Sequence, residues 1–180
     1  MIGQAEQAIL LFFQSIHTPV LDKVMVGLTT LGNAGIIWII VGIILLARKK
    51  SRVAGVMLLS ALLLGLIVGN GIMKNLIARP RPCWRMPEVA MLIPVPTDYS
   101  FPSGHTLASF EAITVLFLTK QKSAVFALIL GSVIAISRMY LFVHYPTDIL
   151  GGMILGIVIG CFSVWIYRKI WKEQRGYECI

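Results

Sequence analysis

The sequence predicts an all-α, integral membrane helical bundle of five or six transmembrane helices, forming one domain over residues 1–180. Three observations predict it. Of 180 residues, 57% are hydrophobic and only 13% are charged, far less charge than a soluble domain carries, and the mean hydropathy is +0.84. The apolar residues fall into runs over 36–47, 53–69, 106–118, 123–136 and 149–167. A membrane-spanning helix needs about 20 mostly apolar residues, a length that several runs reach only with flanking Gly, Ser and Thr. Most of the basic residues sit in the connections between runs, where they read as topology signals and headgroup contacts.

The elements follow in order. Residues 2–16 place Ile9, Leu10, Phe12, Phe13 and Ile16 among Gln4, Glu6, Gln7 and Gln14. That pattern suits a helix lying in the interface or entering the bilayer obliquely. It has neither a basic n-region nor a cleavage site, so no cleaved leader is expected. His17-Thr18-Pro19 breaks it, and Val20 to Leu31 forms a second short helix with Asp22 and Lys23 in its first turn. Whether this pair over 1–31 crosses the membrane or only dips into it stays open. Gly32-Asn33-Ala34-Gly35 leads into the first clear crossing.

Three basic clusters orient the runs: Arg48, Lys49, Lys50 and Arg52; Lys120 and Lys122; and Arg168, Lys169, Lys172 and Arg175. With antiparallel crossings all three fall on one side, which the positive-inside rule makes cytoplasmic. The net charge of +8 therefore calls for no nucleic acid, and no nucleic-acid motif accompanies it. Cys83, Cys161 and Cys179 are read as unpaired thiols, an odd number with no close pair. Gly152, Gly156 and Gly160 make two Gly-x-x-x-Gly pairs, which let helices approach closely within the chain or between chains. The longest connection, 78–101, holds five prolines after Arg79 and carries Met91, Leu92, Ile93 and Val95. It reads equally as a lid over a lipid tail and as a segment buried against the bundle.

Three polar clusters interrupt this apolar chain, all at the ends of runs opposite the basic clusters. Charge is costly in lipid, so such clusters are functional by default. The first is Lys74 with Arg79-Pro80-Arg81-Pro82, fixed cations suited to the charge that spreads over a transferring phosphoryl group. Interfacial anchoring accounts for Lys74 and Arg85, but not for the rigid Arg-Pro-Arg-Pro. The second is Pro102-Ser103-Gly104-His105. Ser103 is a natural N-cap, and the free amides behind it favour an anion. Gly104 allows close backbone approach, and His105 beside the anion is a proton donor. Alone, this cluster is an ordinary capped helix with an interfacial histidine.

The third cluster, Ser137-Arg138 with His144 and Asp148, shifts the balance. Pro146 suits a first helical position, which places Asp148 one turn from His144. There it can accept from one imidazole nitrogen and leave the other as a free lone pair, the orienting half of a triad with histidine as nucleophile. Arg138 can hold two phosphate oxygens at once. Separately, an Asp cap and a snorkelling Arg are common. Metal-ligand spacing is absent, so no metal and no cofactor are expected. Glu111, two turns inside the run that starts near Ser103, lies at a depth where a carboxyl should find a partner such as Lys74 or Asn70, or carry a proton.

The order Lys-x6-Arg-Pro, Pro-Ser-Gly-His, Ser-Arg-x5-His-x3-Asp resembles the type 2 phosphatidic acid phosphatase (PAP2) family, which shares its site with vanadium-dependent haloperoxidases. The matching positions are Lys74, Arg81 and Pro82; Pro102, Ser103, Gly104 and His105; Ser137, Arg138, His144 and Asp148. No motif position departs from the pattern across 74–148, and Arg79 is not the motif arginine.

The resemblance implies a metal-independent lipid phosphatase. His144 would attack phosphorus, Asp148 would orient it, and His105 would protonate the leaving oxygen and then activate water. Lys74, Arg81, Ser103, Gly104 and Arg138 would bind phosphoryl oxygens. The implied partner is a lipid phosphate in the plasma membrane, met at the outer face: undecaprenyl diphosphate, phosphatidylglycerophosphate, phosphatidic acid or diacylglycerol diphosphate. A small transporter would need a through-path, whereas these clusters gather at one end. A non-catalytic interaction protein should have lost one of His105, His144 and Asp148.

Overall fold

The structure, a computed structural model, describes residues 3–177, with side chains to Ile170. Cys179 and the side chains of Lys172 and Arg175 lie outside the described residues. All regular elements among them are helical. The helices are α1 Gln4–Ser15, α2 Pro19–Leu31, α3 Ile36–Ala47, α4 Arg52–Gly65, α5 Lys74–Ile77, α6 Pro82–Arg85, α7 Gly104–Leu118, α8 Ala124–Tyr140 and α9 Pro146–Tyr177. A 3-10 turn, Asn33–Gly35, precedes α3, and a π-helical segment, Leu66–Met73, joins α4 to α5.

Two helical stretches are long and apolar enough to cross a membrane, Arg52–Arg85 and Pro146–Ile170. Three shorter apolar helices, Asn33–Ala47, Gly104–Leu118 and Ala124–Tyr140, run beside them. At 1.5 Å per residue these fall short of a hydrocarbon core about 30 Å thick. Counting all five gives the lower of the two expected numbers, and the α1–α2 pair, bent by 119°, is a broken span or a re-entrant loop. Thr18 accepts from the Leu21 N–H, and Pro19 opens α2. His17 stacks on Tyr140 with ring centroids 4.2 Å apart, and the Tyr140 hydroxyl donates to Asp22 at 2.5 Å. These contacts tie the bend to the end of α8.

α7 is the central helix. A helix apolar on all sides is stable only when surrounded, and α7 is buried from Thr106 to Leu116 except at single positions. It packs against α9, α8 and α4. The α7–α9 contact is close because α9 offers glycines: a Cβ at Gly156 would lie 2.6 Å from the Leu107 carbonyl, and one at Gly160 would lie 2.8 Å from the Thr114 Cβ. The Gly-x-x-x-Gly pairs thus pack within the chain. Buried hydrogen bonds cross-link the bundle, from Trp38 Nε1 to Ser109 at 3.0 Å and from Ser163 to the Met57 carbonyl at 2.7 Å. The outward faces are apolar, with Phe126, Ile154, Val158 and Trp165 exposed, as lipid contact requires.

At one end of the bundle, Lys50 and Arg168 share a crevice with Gln121, the residue between Lys120 and Lys122, so the three basic turns lie at the same end. Arg168 donates to the Leu118 carbonyl there at 2.9 Å. The polar clusters meet at the other end of α7. The 78–101 connection is not wholly irregular, because Pro82 starts the single helical turn of α6. Its apolar residues pack on the bundle or border a cavity, and Ile93 does both. Met91 and Ile93 pack on a satellite core around Tyr140 and Phe142, while Leu92 and Val95 stay exposed and face the cavity described next.

Candidate active site

A cavity of about 970 Å³ opens where α4, α7, α8 and the 78–101 connection meet. Lys74, Arg81, Gly104, His105, Arg138 and His144 all border it. The two histidines, 39 positions apart in sequence, share one chamber. Three permanent cations share it with them.

Backbone bonds stitch the clusters together. The Ser100 N–H donates to the Arg79 carbonyl at 2.8 Å, and the Ser103 N–H donates to the Asp148 carbonyl at 3.2 Å. Ser103 occupies the N-cap position of α7, but its hydroxyl makes no cap bond. Instead it accepts from Thr106 at 3.0 Å, wholly buried. The sequence expectation of a side-chain cap is corrected here: the backbone turns as a cap does, and the hydroxyl is drawn to the neighbouring threonine. Ser103 is also absent from the cavity lining, unlike Gly104.

His144 sits on the short α8–α9 connection and is 1% exposed. Its Nε2 faces Arg81 Nη1 at 3.1 Å, and its Nδ1 faces Asp148 Oδ2 at 3.5 Å and the Ser100 hydroxyl at 3.4 Å. Only a proton on Nδ1 suits both sides, which leaves the Nε2 lone pair toward the cations. Burial, together with the Arg81, Arg138 and Lys74 charges, holds the imidazole pKa well below its usual 6.5. The expected direct Asp148–His144 bond is corrected to a longer contact, because Ser100 donates to the same Asp148 oxygen. His144 Nδ1 thus faces both the Ser100 hydroxyl and Asp148 at similar distances.

Asp148 is completely buried and fully engaged. Its Oδ2 accepts the Tyr145 N–H at 2.9 Å, the reciprocal half of a capping box at the start of α9. Its Oδ1 accepts from Arg79 Nη1 at 2.6 Å. Arg79 also grips Glu6 of α1 with Nη2, at 2.8 and 3.1 Å, and lies 4.1 Å over the Tyr145 ring. Arg79, set aside by the motif, is therefore the charge partner of Asp148.

Asp98 is the second residue that sequence reasoning missed. It bridges two motif cations, pairing with Lys74 and with Arg81 Nη2 at 2.7 Å, while its carbonyl accepts from Arg81 Nε at 2.6 Å. Burial pushes its pKa up, but the Lys74 and Arg81 hydrogen bonds and charges outweigh that and bring it down to about 2. Arg138 donates to the buried Thr29 of α2 at 2.5 Å and keeps Nε unpaired. His105 Nε2 lies 3.0 Å from the side-chain Oδ1 of Asn33. The N-terminal residues thus reach the site through Glu6, Thr29 and Asn33. The only hint of this in the sequence was polar residues in otherwise apolar helices.

Glu111 meets neither expected partner. Lys74 is taken by Asp98, and both Glu111 Oε1 and Asn70 Oδ1 are buried without hydrogen bonds.

A membrane helical bundle with a cationic chamber flanked by two histidines defines a phosphate-handling membrane protein. The PAP2 superfamily model matches residues 54–172, and the chain belongs to that superfamily. An undecaprenyl-diphosphatase of Sulfolobus acidocaldarius is 34% identical over 147 residues, 81% of this chain and 70% of that one. A transmembrane PAP2-type phosphatidylglycerolphosphate phosphatase of Bacillus subtilis superposes with a TM-score of 0.70 at 28% identity, covering 94% of this chain and 87% of that one. LpxE of Aquifex aeolicus gives 0.76 at 26% identity, covering 88% and 93%. The chain is a membrane lipid phosphatase, a hydrolase of phosphoric ester bonds.

Proposed function

We propose that this chain removes a terminal phosphate from a lipid phosphomonoester or diphosphate at the outer leaflet of the plasma membrane, through a phosphohistidine. The observation that carries this reading is the aim of His144 Nε2 into the chamber shared by Lys74, Arg81, Arg138 and His105.

The steps follow from that geometry. Lys74, Arg81, Arg138 and the Gly104 amide bind the phosphoryl oxygens, and Ser103 holds the turn that presents Gly104. His144 Nε2 attacks phosphorus in line and the P–O bond to the lipid breaks. The leaving oxygen takes a proton from His105. Asp148, acting through Ser100, stabilises the positive charge that His144 gains. Water then attacks the phosphohistidine and gives its proton to His105. Phosphate leaves, and His144 is regenerated. No step needs a metal, and no cofactor is called on.

The outer-face assignment rests on the basic clusters at the opposite end of the bundle. The candidate substrates are undecaprenyl diphosphate, phosphatidylglycerophosphate, phosphatidic acid and diacylglycerol diphosphate, since the chamber reads phosphate.

The test is phosphate release from a panel of purified lipid phosphates in detergent with chelator present. Wild type should turn over at least one of them under vanadate-sensitive conditions. His144→Ala should abolish release, and His105→Ala should lower kcat by about 10²–10⁴-fold. Full turnover by His144→Ala would rule the mechanism out.

A further inference from the structure

The cavity continues past its cationic end into an apolar half. α7 lines it with Gly104, Leu107, Ala108 and Glu111, the stripe of a single helix face. Glu111 thus lies about 10 Å further along the helix than Gly104. Its side chain is 1% exposed, its Oε1 has no hydrogen-bond partner, and no cation pairs with it among the described residues.

Gly65 makes the room for it. A Cβ there would fall 1.8 Å from Oε1, so the carboxyl fills the space that a side chain would take. Five residues on, in the π-helical segment, Asn70 also borders the cavity and keeps a buried, unpaired Oδ1. Leu62, Leu63 and Leu66 form the surrounding wall. Native proteins pair their buried polar groups, and π-helical turns often mark functional sites. None of the reaction steps above uses either group.

We propose that Asn70 and Glu111 form a subsite for the uncharged oxygens of the lipid body, ester carbonyls or hydroxyls, and so select glycerolipid phosphates over polyprenyl phosphates. The proposal rests on the lipid phosphatase reading above. An unpaired charge is costly in such surroundings, so Glu111 meets a ligand as a carboxylic acid that donates one hydrogen bond and accepts another. The Asn70 carboxamide does the same. Asn70 Oδ1 lies beside Gly104, nearer the cationic end, where a Cβ on Gly104 would fall 2.9 Å from it, and Glu111 lies deeper, paired with no cation among the described residues. A glycerolipid carries its ester oxygens just below the headgroup. A polyprenyl chain is hydrocarbon from its first carbon and leaves both groups unsatisfied. Stranded polar groups discriminate far more strongly than missing methylenes.

The test compares kcat/KM for dioleoyl phosphatidic acid and for farnesyl monophosphate in one detergent. Wild type should favour phosphatidic acid. Glu111→Leu should lower that preference at least tenfold, and Glu111→Gln, which still donates and accepts, should keep most of it. Asn70→Leu provides the same comparison if Glu111→Leu does not fold. A wild-type preference for farnesyl monophosphate, or a preference unmoved by both leucine variants, would overturn the subsite.

Binding provides a second readout. His144→Ala protein should bind radiolabelled phosphatidic acid with preferential displacement by unlabelled phosphatidic acid over farnesyl monophosphate, and adding Glu111→Leu should erase that preference. Absence of turnover on every lipid by wild type strikes the phosphatase reading. Absence of the binding preference strikes this one.

Discussion

Arg79 Nη1 lies 2.6 Å from Asp148 Oδ1, and this pair ties the first polar cluster to the third. Asp148 is fully buried, while Arg79 is about one quarter exposed and shared with Glu6. A buried carboxylate needs such a partner. Through it, the N-terminal helix α1 braces the acid proposed to orient His144.

Arg79→Gln should therefore lower kcat about 10–100-fold with KM little changed, since Arg79 touches no position proposed for phosphate. Losing its charge-assisted hydrogen bonds to the buried Asp148 and to Glu6 should also cost about 3–5 kcal/mol of stability. Arg79→Lys should fall between, because a single ammonium cannot fork to Asp148 and Glu6 together. Steady-state kinetics and thermal unfolding in detergent check both. A large rise in KM would instead place Arg79 in the substrate site.

The depressed His144 pKa sets the pH behaviour. A group whose folded pKa lies below its unfolded value binds fewer protons in the native state. Its contribution is present above about 6.5 and is lost as the pH falls through the folded value. Wild type should lose stability between about pH 6.5 and 5 more steeply than His144→Asn. The acid limb of kcat/KM in the free enzyme should likewise fall below pH 6.5, the ordinary histidine value. Thermal unfolding and a pH–rate series test the two statements, and an acid limb at or above 6.5 would contradict the second.

Asp98 occupies the Lys74–Arg81 fork that the phosphoryl oxygens are proposed to take. With its pKa near 2, it stays anionic across the working range, and an incoming phosphate must displace it. Asp98→Asn should tighten inhibition by vanadate and by inorganic phosphate roughly tenfold, equivalent to about 1.4 kcal/mol. Inhibition constants at fixed ionic strength give the measurement. Weaker inhibition would show that Asp98 organises the cations instead of competing for them.

Gly156 lets α9 lie against α7, and an added Cβ would meet backbone at 2.6 Å. Gly156→Ala should destabilise the protein by about 1–3 kcal/mol through overpacking. Gly27→Ala, where a Cβ meets nothing within 4 Å, is the control. Equal thermal stability of the two variants would refute the close α7–α9 packing.

Several features were legible in the linear sequence. The helical membrane class followed from apolar runs with basic connections, because a bilayer demands that composition of any chain that crosses it. The short motifs picked out His105, His144, Lys74, Arg81 and Arg138, which the fold brings to one cavity, and Asp148 beside it; the catalytic roles proposed for them rest on that convergence. The role of Arg79 was not legible. Its partner is 69 positions away, and local spacing carries no information on such a pair. The same holds for Ser100 and Asp98, ordinary loop residues until the 78–101 connection folds back across the chamber. Ser103 shows the converse, a local rule for capping overridden by a neighbour, Thr106, offering its hydroxyl.

Composition and motif order alone determined that this is a helical membrane protein of the lipid phosphatase class. Tertiary structure alone decided that Arg79 pairs with Asp148, that Asp98 bridges Lys74 and Arg81, and that Glu111 stands without a partner among the described residues. The physical reason is range. Hydrophobic periodicity and capping act over a few residues and can be read in order, whereas ion pairs and cavities form between segments whose meeting depends on how the whole bundle packs.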